Sequence, residues 1–227
     1  MCGIFCSLSR HGHVVPDAKT KQLLLNRGPD SSGQRQVLID PHTASQLHAT
    51  FLSTVLSLRG QSIVQQPLQD AATDSILCWN GEAWSIDGEA VAGNDSIVVF
   101  EKLLAACSDA QSPDISIRAV VDVMSSIRGP HAFVFYDVPH KLVYYGRDCL
   151  GRRSLLRKST PDDTLVLSSV FDNSDGSAWA EVEADGIYVV DLSHVSPIAP
   201  RHVPHRPAEG DSIGVSLVGK YPSTCLC

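Results

Sequence analysis

The chain has 227 residues, with 18 Lys and Arg against 25 Asp and Glu and a formal net charge of −7, a balance that argues against nucleic acid as its main partner. Its 43% hydrophobic and 19% charged residues are ordinary globular usage, and a chain this long buries about 70% of its extended-chain surface, which excludes wholesale disorder and a disulfide miniprotein. No apolar run approaches the roughly 20 residues that a membrane helix needs, so a soluble protein is expected.

In chain order, the first apolar stretch has no basic residues before it and breaks at Ser7, Ser9 and Arg10, unlike a secretory signal. A weak helix is predicted over 17–26, where Leu23, Leu24 and Leu25 give little periodicity. Apolar runs bounded by turn residues predict short strands at 76–79, 132–136, 142–145, 165–167 and 187–190. A helix opens after Asn94-Asp95, either of which can cap it, with Ile97, Val98, Leu103 and Leu104 assigned to its buried face. A second carries Ile117, Val120, Val121, Met124 and Ile127 at offsets of 0, 3, 4, 7 and 10. Runs of strands with grouped helices favour an α+β layered domain. Pro197, Pro200, Pro204 and Pro207 make regular structure hard to sustain. The compact domain is therefore expected to cover 2–192, with 193–227 a Pro-rich linker and truncated tail.

Seven cysteines, at 2, 6, 78, 107, 149, 225 and 227, are odd in number and irregularly spaced, several inside apolar runs. They read as reduced thiols in a cytoplasmic protein. Nine histidines raise the question of a metal, but neither His11/His13 nor His202/His205 with Cys225/Cys227 has a familiar ligand spacing, and no metal or other cofactor is expected. If Met1 is removed, Cys2 carries a thiol and a free α-amino group on one carbon, a nucleophile with its own base. By itself a cysteine at position 2 is also an ordinary small residue. Residues 27–33, Arg-Gly-Pro-Asp-Ser-Ser-Gly, form a dense turn segment. Trp79-Asn80-Gly81-Glu82 has two readings: Asn-Gly is the commonest hairpin pair, or the Asn80 amide and Gly81 N–H form an oxyanion site. Residues 146–153 make a basic turn that lacks the lysine and hydroxyl residue of a nucleotide-phosphate loop.

Taken together, Met-Cys-Gly-Ile-Phe at the start, Arg-Gly-Pro-Asp-Ser-Ser-Gly at 27–33, Gln-Pro-Leu at 66–68, Trp-Asn-Gly-Glu at 79–82, Gly-Asn-Asp at 93–95, Arg-Gly-Pro-His-Ala-Phe at 128–133 and Gly-Arg-Asp-Cys-Leu-Gly at 146–151 form a series. It resembles the class II glutamine amidotransferase domain of glutamine-dependent asparagine synthetases. Gly-Arg-Arg-Ser-Leu-Leu at 151–156 looks closer to the asparagine synthetase domain-containing protein subfamily. The resemblance implies a four-layer αββα sandwich of the N-terminal-nucleophile hydrolase type. It also implies a glutaminase in which Cys2 attacks the glutamine side-chain amide, Asn80 and Gly81 hold the oxyanion, and Asp95 and Glu82 hold the amino-acid end.

Two departures qualify what the resemblance implies. The family's strand arginine for the glutamine α-carboxylate, eleven residues before the glutamine of Gln-Pro-Leu, corresponds here to Val55. The nearest arginine, Arg59, is the substitute to consider; on one extended strand it would stand about 13 Å along from Val55, which predicts weak carboxylate binding. The ATP-dependent synthetase half, with its Ser-Gly-Gly-rich loop, has no counterpart in this sequence. The expected partners are therefore glutamine and an asparagine-synthetase-type domain or partner chain, with neither nucleic acid nor membrane. A non-catalytic interaction or ligand-sensing module is the alternative, and an amide hydrolase for a substrate without the carboxylate is a third.

Overall fold

The computed structural model describes residues 1–40, 46–172, 174, 176, 178–193 and 197–206. In the first half run β1 (Gly3–Ser9), α1 (Ala18–Arg27), β2 (Ser31–Ile39), β3 (Leu47–Val55), β4 (Leu68–Gln69), β5 (Ile76–Gly81), β6 (Ser85–Ile86), β7 (Glu89–Ala90) and α2 (Asp95–Ser108). There follow α3 (Pro113–Ser126), β8 (Ile127–Arg128), β9 (His131–Asp137), β10 (Leu142–Arg147), β11 (Leu156–Ser159), β12 (Leu165–Ser168), β13 (Ala180–Glu181), β14 (Gly186–Asp191) and β15 (Arg201–Pro204). Two six-stranded sheets have the orders β13-β11-β12-β1-β3-β2 and β15-β14-β10-β9-β5-β4, and a three-stranded sheet is β7-β6-β8.

Strand alternation sorts the apolar residues into layers. Ile4, Cys6 and Leu8 of β1 and Ala49 and Phe51 of β3 face Ile76 and Cys78 of β5 and Val134 and Tyr136 of β9, so the two large sheets close a shared core. Phe5, Leu52 and Val166 turn to the other side of the first sheet and meet Leu24 of α1. Leu77, Trp79, Phe133 and Tyr144 on the outer side of the second sheet receive Val99, Leu103, Ile117, Val120 and Met124 of α2 and α3. Helix, sheet, sheet and helices make four layers, the expected αββα sandwich. No described helix is long and apolar enough to cross a membrane.

The helix over 95–108 is capped by Asn94, whose side chain accepts from Ser96 N, but its buried face shares only Leu103 with the expected one. Val99, Phe100, Leu103 and Cys107 point inward, while Ile97 is exposed and Val98 and Leu104 are only partly covered. In α3 the expected Ile117, Val120, Val121 and Met124 are buried. Ile127 is buried too, as the first residue of β8.

Among the strands that were not expected, β1, β2 and β3 are the longest. β1 and β3 are buried along almost their whole length, and with both faces covered they show no alternation. The edge strand β2 is mostly polar. The chain after Leu192 also departs from the expected linker: 201–204 pair antiparallel with β14, from Gly186↔Pro204 to Val189↔Arg201. Pro204 lies on the edge strand of the sheet, where a missing N–H is tolerated. Residues 207–227, with Cys225 and Cys227, lie outside the described residues. Cys2, Cys6, Cys78 and Cys107 carry free thiols.

Candidate active site

The start of β1, the turn after β3, the end of β5, the N-terminus of α2 and Arg153 line a single cleft. Cys2, Arg59, Asn80, Gly81, Glu82 and Asp95, all singled out from the sequence, are among its lining residues. They converge because β1 lies beside β3 in one sheet, while β5 of the facing sheet carries Trp79, Asn80 and Gly81 to the same end of the sandwich.

Asn80 and Gly81 do not form a hairpin turn. Both lie within β5, opposite Ala132 and His131 of β9. A side chain at position 81 would come within 2.7 Å of His131 Cβ and 2.8 Å of the Pro130 carbonyl oxygen, so close backbone packing itself demands glycine. Asn80 is 1% exposed and its Nδ2 has no hydrogen-bond partner. A buried amide donor without an acceptor costs stability, and here it borders a cleft that can bring one.

Asp95 stands in the first turn of α2, 5% exposed. Its Oδ2 accepts from Trp79 Nε1 at 3.1 Å and from Ala83 N at 2.8 Å, which orients the carboxylate. Trp79 is held in turn by Gln66, whose Oε1 accepts from Trp79 N at 2.7 Å, and its ring stacks on His131 at 5.2 Å. Burial drives His131 down to about 4, against the pull of Asp148, which keeps the ring neutral near pH 7. Its Nδ1 lies 3.2 Å from the Gly129 carbonyl, so the proton sits on Nδ1.

The Cys2 thiol approaches the Leu56 carbonyl at 3.8 Å. Burial pushes this thiol up, and the Asp95 carboxylate acts in the same direction. The Met1 α-amino group moves the other way, lowered by burial and by the nearby Arg27 and Arg153 cations. Thiol and amine are therefore both uncharged more readily than in water.

Arg59 differs from its expected placement. β3 ends at Val55, and the chain turns so that Arg59 reaches the cleft instead of lying 13 Å along a strand; Gly60, with φ +87°, continues the turn. Its Nη1 donates to the Ala83 carbonyl and its Nη2 to the Val91 carbonyl, both at 2.7 Å. Val55 is buried. Glu82 Oε1 accepts from Arg153 Nη2 at 3.0 Å. Arg153, Gln66 and Trp79 line the cleft without having been assigned a site role from sequence. Their signals were present in Gly-Arg-Arg-Ser-Leu-Leu, Gln-Pro-Leu and Trp-Asn-Gly-Glu, but nothing local says that these segments meet. Among the described residues no three His, Cys, Asp or Glu side chains converge as metal ligands, and His202 pairs with Asp185 at 3.0 Å.

No family model matches the sequence. Asparagine synthetase domain-containing protein 1 of Gallus gallus is 35% identical over 199 residues, covering 85% of this chain and 29% of that protein. The Homo sapiens protein of the same name is 33% identical over 198 residues, covering 85% and 28%. The chain thus spans less than a third of the length of these curated relatives. In fold it is similar to the glutamine phosphoribosylpyrophosphate amidotransferase of B. subtilis, with a TM-score of 0.55 and 14% identity over 88% of this chain and 49% of that one. It is similar too to an allosteric regulatory enzyme of purine biosynthesis, with a TM-score of 0.55 and 17% identity over 84% and 47%.

Proposed function

We propose that this chain, similar in sequence to the asparagine synthetase domain-containing proteins and in fold to a glutamine phosphoribosylpyrophosphate amidotransferase, is a glutaminase domain with Cys2 as its nucleophile. The observation that carries the reading is the placing of the Cys2 thiol and the unpartnered Asn80 amide on one cleft, with the oriented Asp95 carboxylate beside them.

Removal of Met1 exposes the Cys2 α-amino group. That amine takes the thiol proton as sulfur attacks the side-chain amide carbon of glutamine. Asn80 Nδ2 and the Gly81 N–H donate to the oxygen as negative charge develops on it. The C–N bond breaks, the amine returns the proton to the leaving ammonia, and water cleaves the thioester to glutamate and free thiol. Asp95 and Glu82 bind the amino-acid end. We further propose that the ammonia serves an asparagine-forming, ATP-dependent synthetase domain or partner chain, in keeping with the relatives' name and greater length. We place the protein in the cytoplasm on the buried free thiols Cys6, Cys78 and Cys107.

The test is an intact mass together with glutamate release. A chain lacking Met1 should hydrolyse glutamine and take up a diazoketone glutamine analogue at Cys2, and Cys2→Ala should abolish both while remaining folded. Label found mainly on Cys6, or hydrolysis surviving in Cys2→Ala, would remove the mechanism. A processed chain that binds glutamine without hydrolysing it would favour the non-catalytic module, for which the buried Val55 speaks.

A further inference from the structure

Two cations line the cleft, Arg59 and Arg153, and they are not equivalent. Both terminal nitrogens of Arg59 are committed at 2.7 Å to main-chain carbonyls, Ala83 and Val91, that hold the loop in place. Arg153 is only partly committed. Its Nη2 meets Glu82 at 3.0 Å, its Nη1 meets nothing better than the Met1 thioether at 3.6 Å, and its Nε is buried without a partner. A thioether is a weak acceptor, and on the proposed maturation it leaves with Met1. That leaves a guanidinium beside Cys2 with donors to spare.

The Arg153–Glu82 pair is partly exposed, with side-chain exposures of 17% and 35%. A pair of this kind contributes about 0–1 kcal/mol, so it opens at little cost. Its two ends carry the complements of the two charges of an α-amino acid: a carboxylate on Arg153, an ammonium on Glu82. We infer that Arg153 is the specificity-determining residue of this cleft, receiving the substrate's α-carboxylate, and that the Arg153–Glu82 pair selects zwitterionic α-amino acids. The inference rests on the glutaminase reading for the identity of the ligand but not on turnover.

The test uses Arg153→Gln and Arg153→Lys in the processed chain, with L-glutamine and 4-aminobutanamide, which keeps the amide and amine but lacks the carboxylate. Loss of one charge-assisted contact costs about ten- to a hundredfold in affinity. Arg153→Gln should raise KM for L-glutamine by about tenfold or more with kcat little changed, Arg153→Lys should recover part of the loss, and 4-aminobutanamide should be handled alike by all three. The same contrast is read without turnover by calorimetric binding to Cys2→Ala and to Cys2→Ala/Arg153→Gln. Should no chain hydrolyse glutamine while binding still depends on Arg153 and on the carboxylate, the glutaminase reading falls and this one stands. Unchanged L-glutamine affinity in Arg153→Gln, equal losses for both ligands, or no binding of L-glutamine at all would overturn it. If Arg153→Gln does not fold, Arg153→Lys decides, since an unchanged ratio of the two ligands in that variant also overturns the assignment.

Discussion

At position 80 the chain keeps a buried amide nitrogen that nothing satisfies. An unpaired buried donor is a stability penalty, tolerated where the missing partner arrives with a ligand. Asn80→Ala should therefore lower kcat by about 10²–10³ with a smaller change in KM, and should not lower the melting temperature in proportion. Steady-state kinetics and a thermal melt on one preparation check both halves. A variant with unchanged kcat would leave Asn80 as a strand residue only.

His131 is the second residue with a consequence of its own. Burial sets its folded pKa to about 4, below the 6.5 of an unfolded histidine, so between those values the unfolded chain binds more protons. The stability associated with the neutral ring is then fully present above about 6.5 and is lost as the pH falls toward about 4. His205, also lowered by burial, acts in the same sense, while Asp148 pulls His131 the other way. The melting temperature should fall between pH 6.5 and 4, and His131→Phe should flatten that slope. An identical slope in the variant would show that other groups set the acid limit.

At the scale of elements, β15 shows how a composition-based boundary fails. Pro197, Pro200, Pro204 and Pro207 suggest a linker, yet the edge of a sheet asks only alternate residues for hydrogen bonds, and 201–204 add a strand to β14. Side chains reinforce the docking: Arg206 pairs with Asp122 at 2.6 Å and His202 with Asp185 at 3.0 Å. A chain ending at residue 192 should therefore melt several °C below one ending at residue 206, because one strand's pairing and cover are lost and each kcal/mol is worth about 2–4 °C at this size. Equal melting temperatures would return 193–206 to the status of a linker. The helices show the converse. In α3 the period of apolar residues names the buried face, because four of them recur at 3 and 4 residue steps. In α2 apolar residues occur on more than one side, and only the sheet beneath chooses Val99, Phe100 and Leu103 over Ile97.

At the scale of the whole molecule, the sequence by itself determined the four central strands of the second sheet, β14, β10, β9 and β5, the face of α3, and the short motifs that place Cys2, Asn80, Gly81, Glu82 and Asp95 on the cleft. Each of these is written within a few consecutive residues, as a local period, a cap or a motif. Tertiary structure alone decided the rest. β1 and β3 are covered on both faces, so they carry no alternation to read. Whether Asn80-Gly81 turns or pairs depended on β9 lying alongside, which brings Ala132 opposite Asn80 and His131 opposite Gly81 from about 50 residues further along the chain. Arg59 and Arg153 are identical as letters; one is spent on the Ala83 and Val91 carbonyls and the other faces Glu82 with donors free, because a guanidinium takes its role from the acceptors that distant segments bring within 3 Å of it.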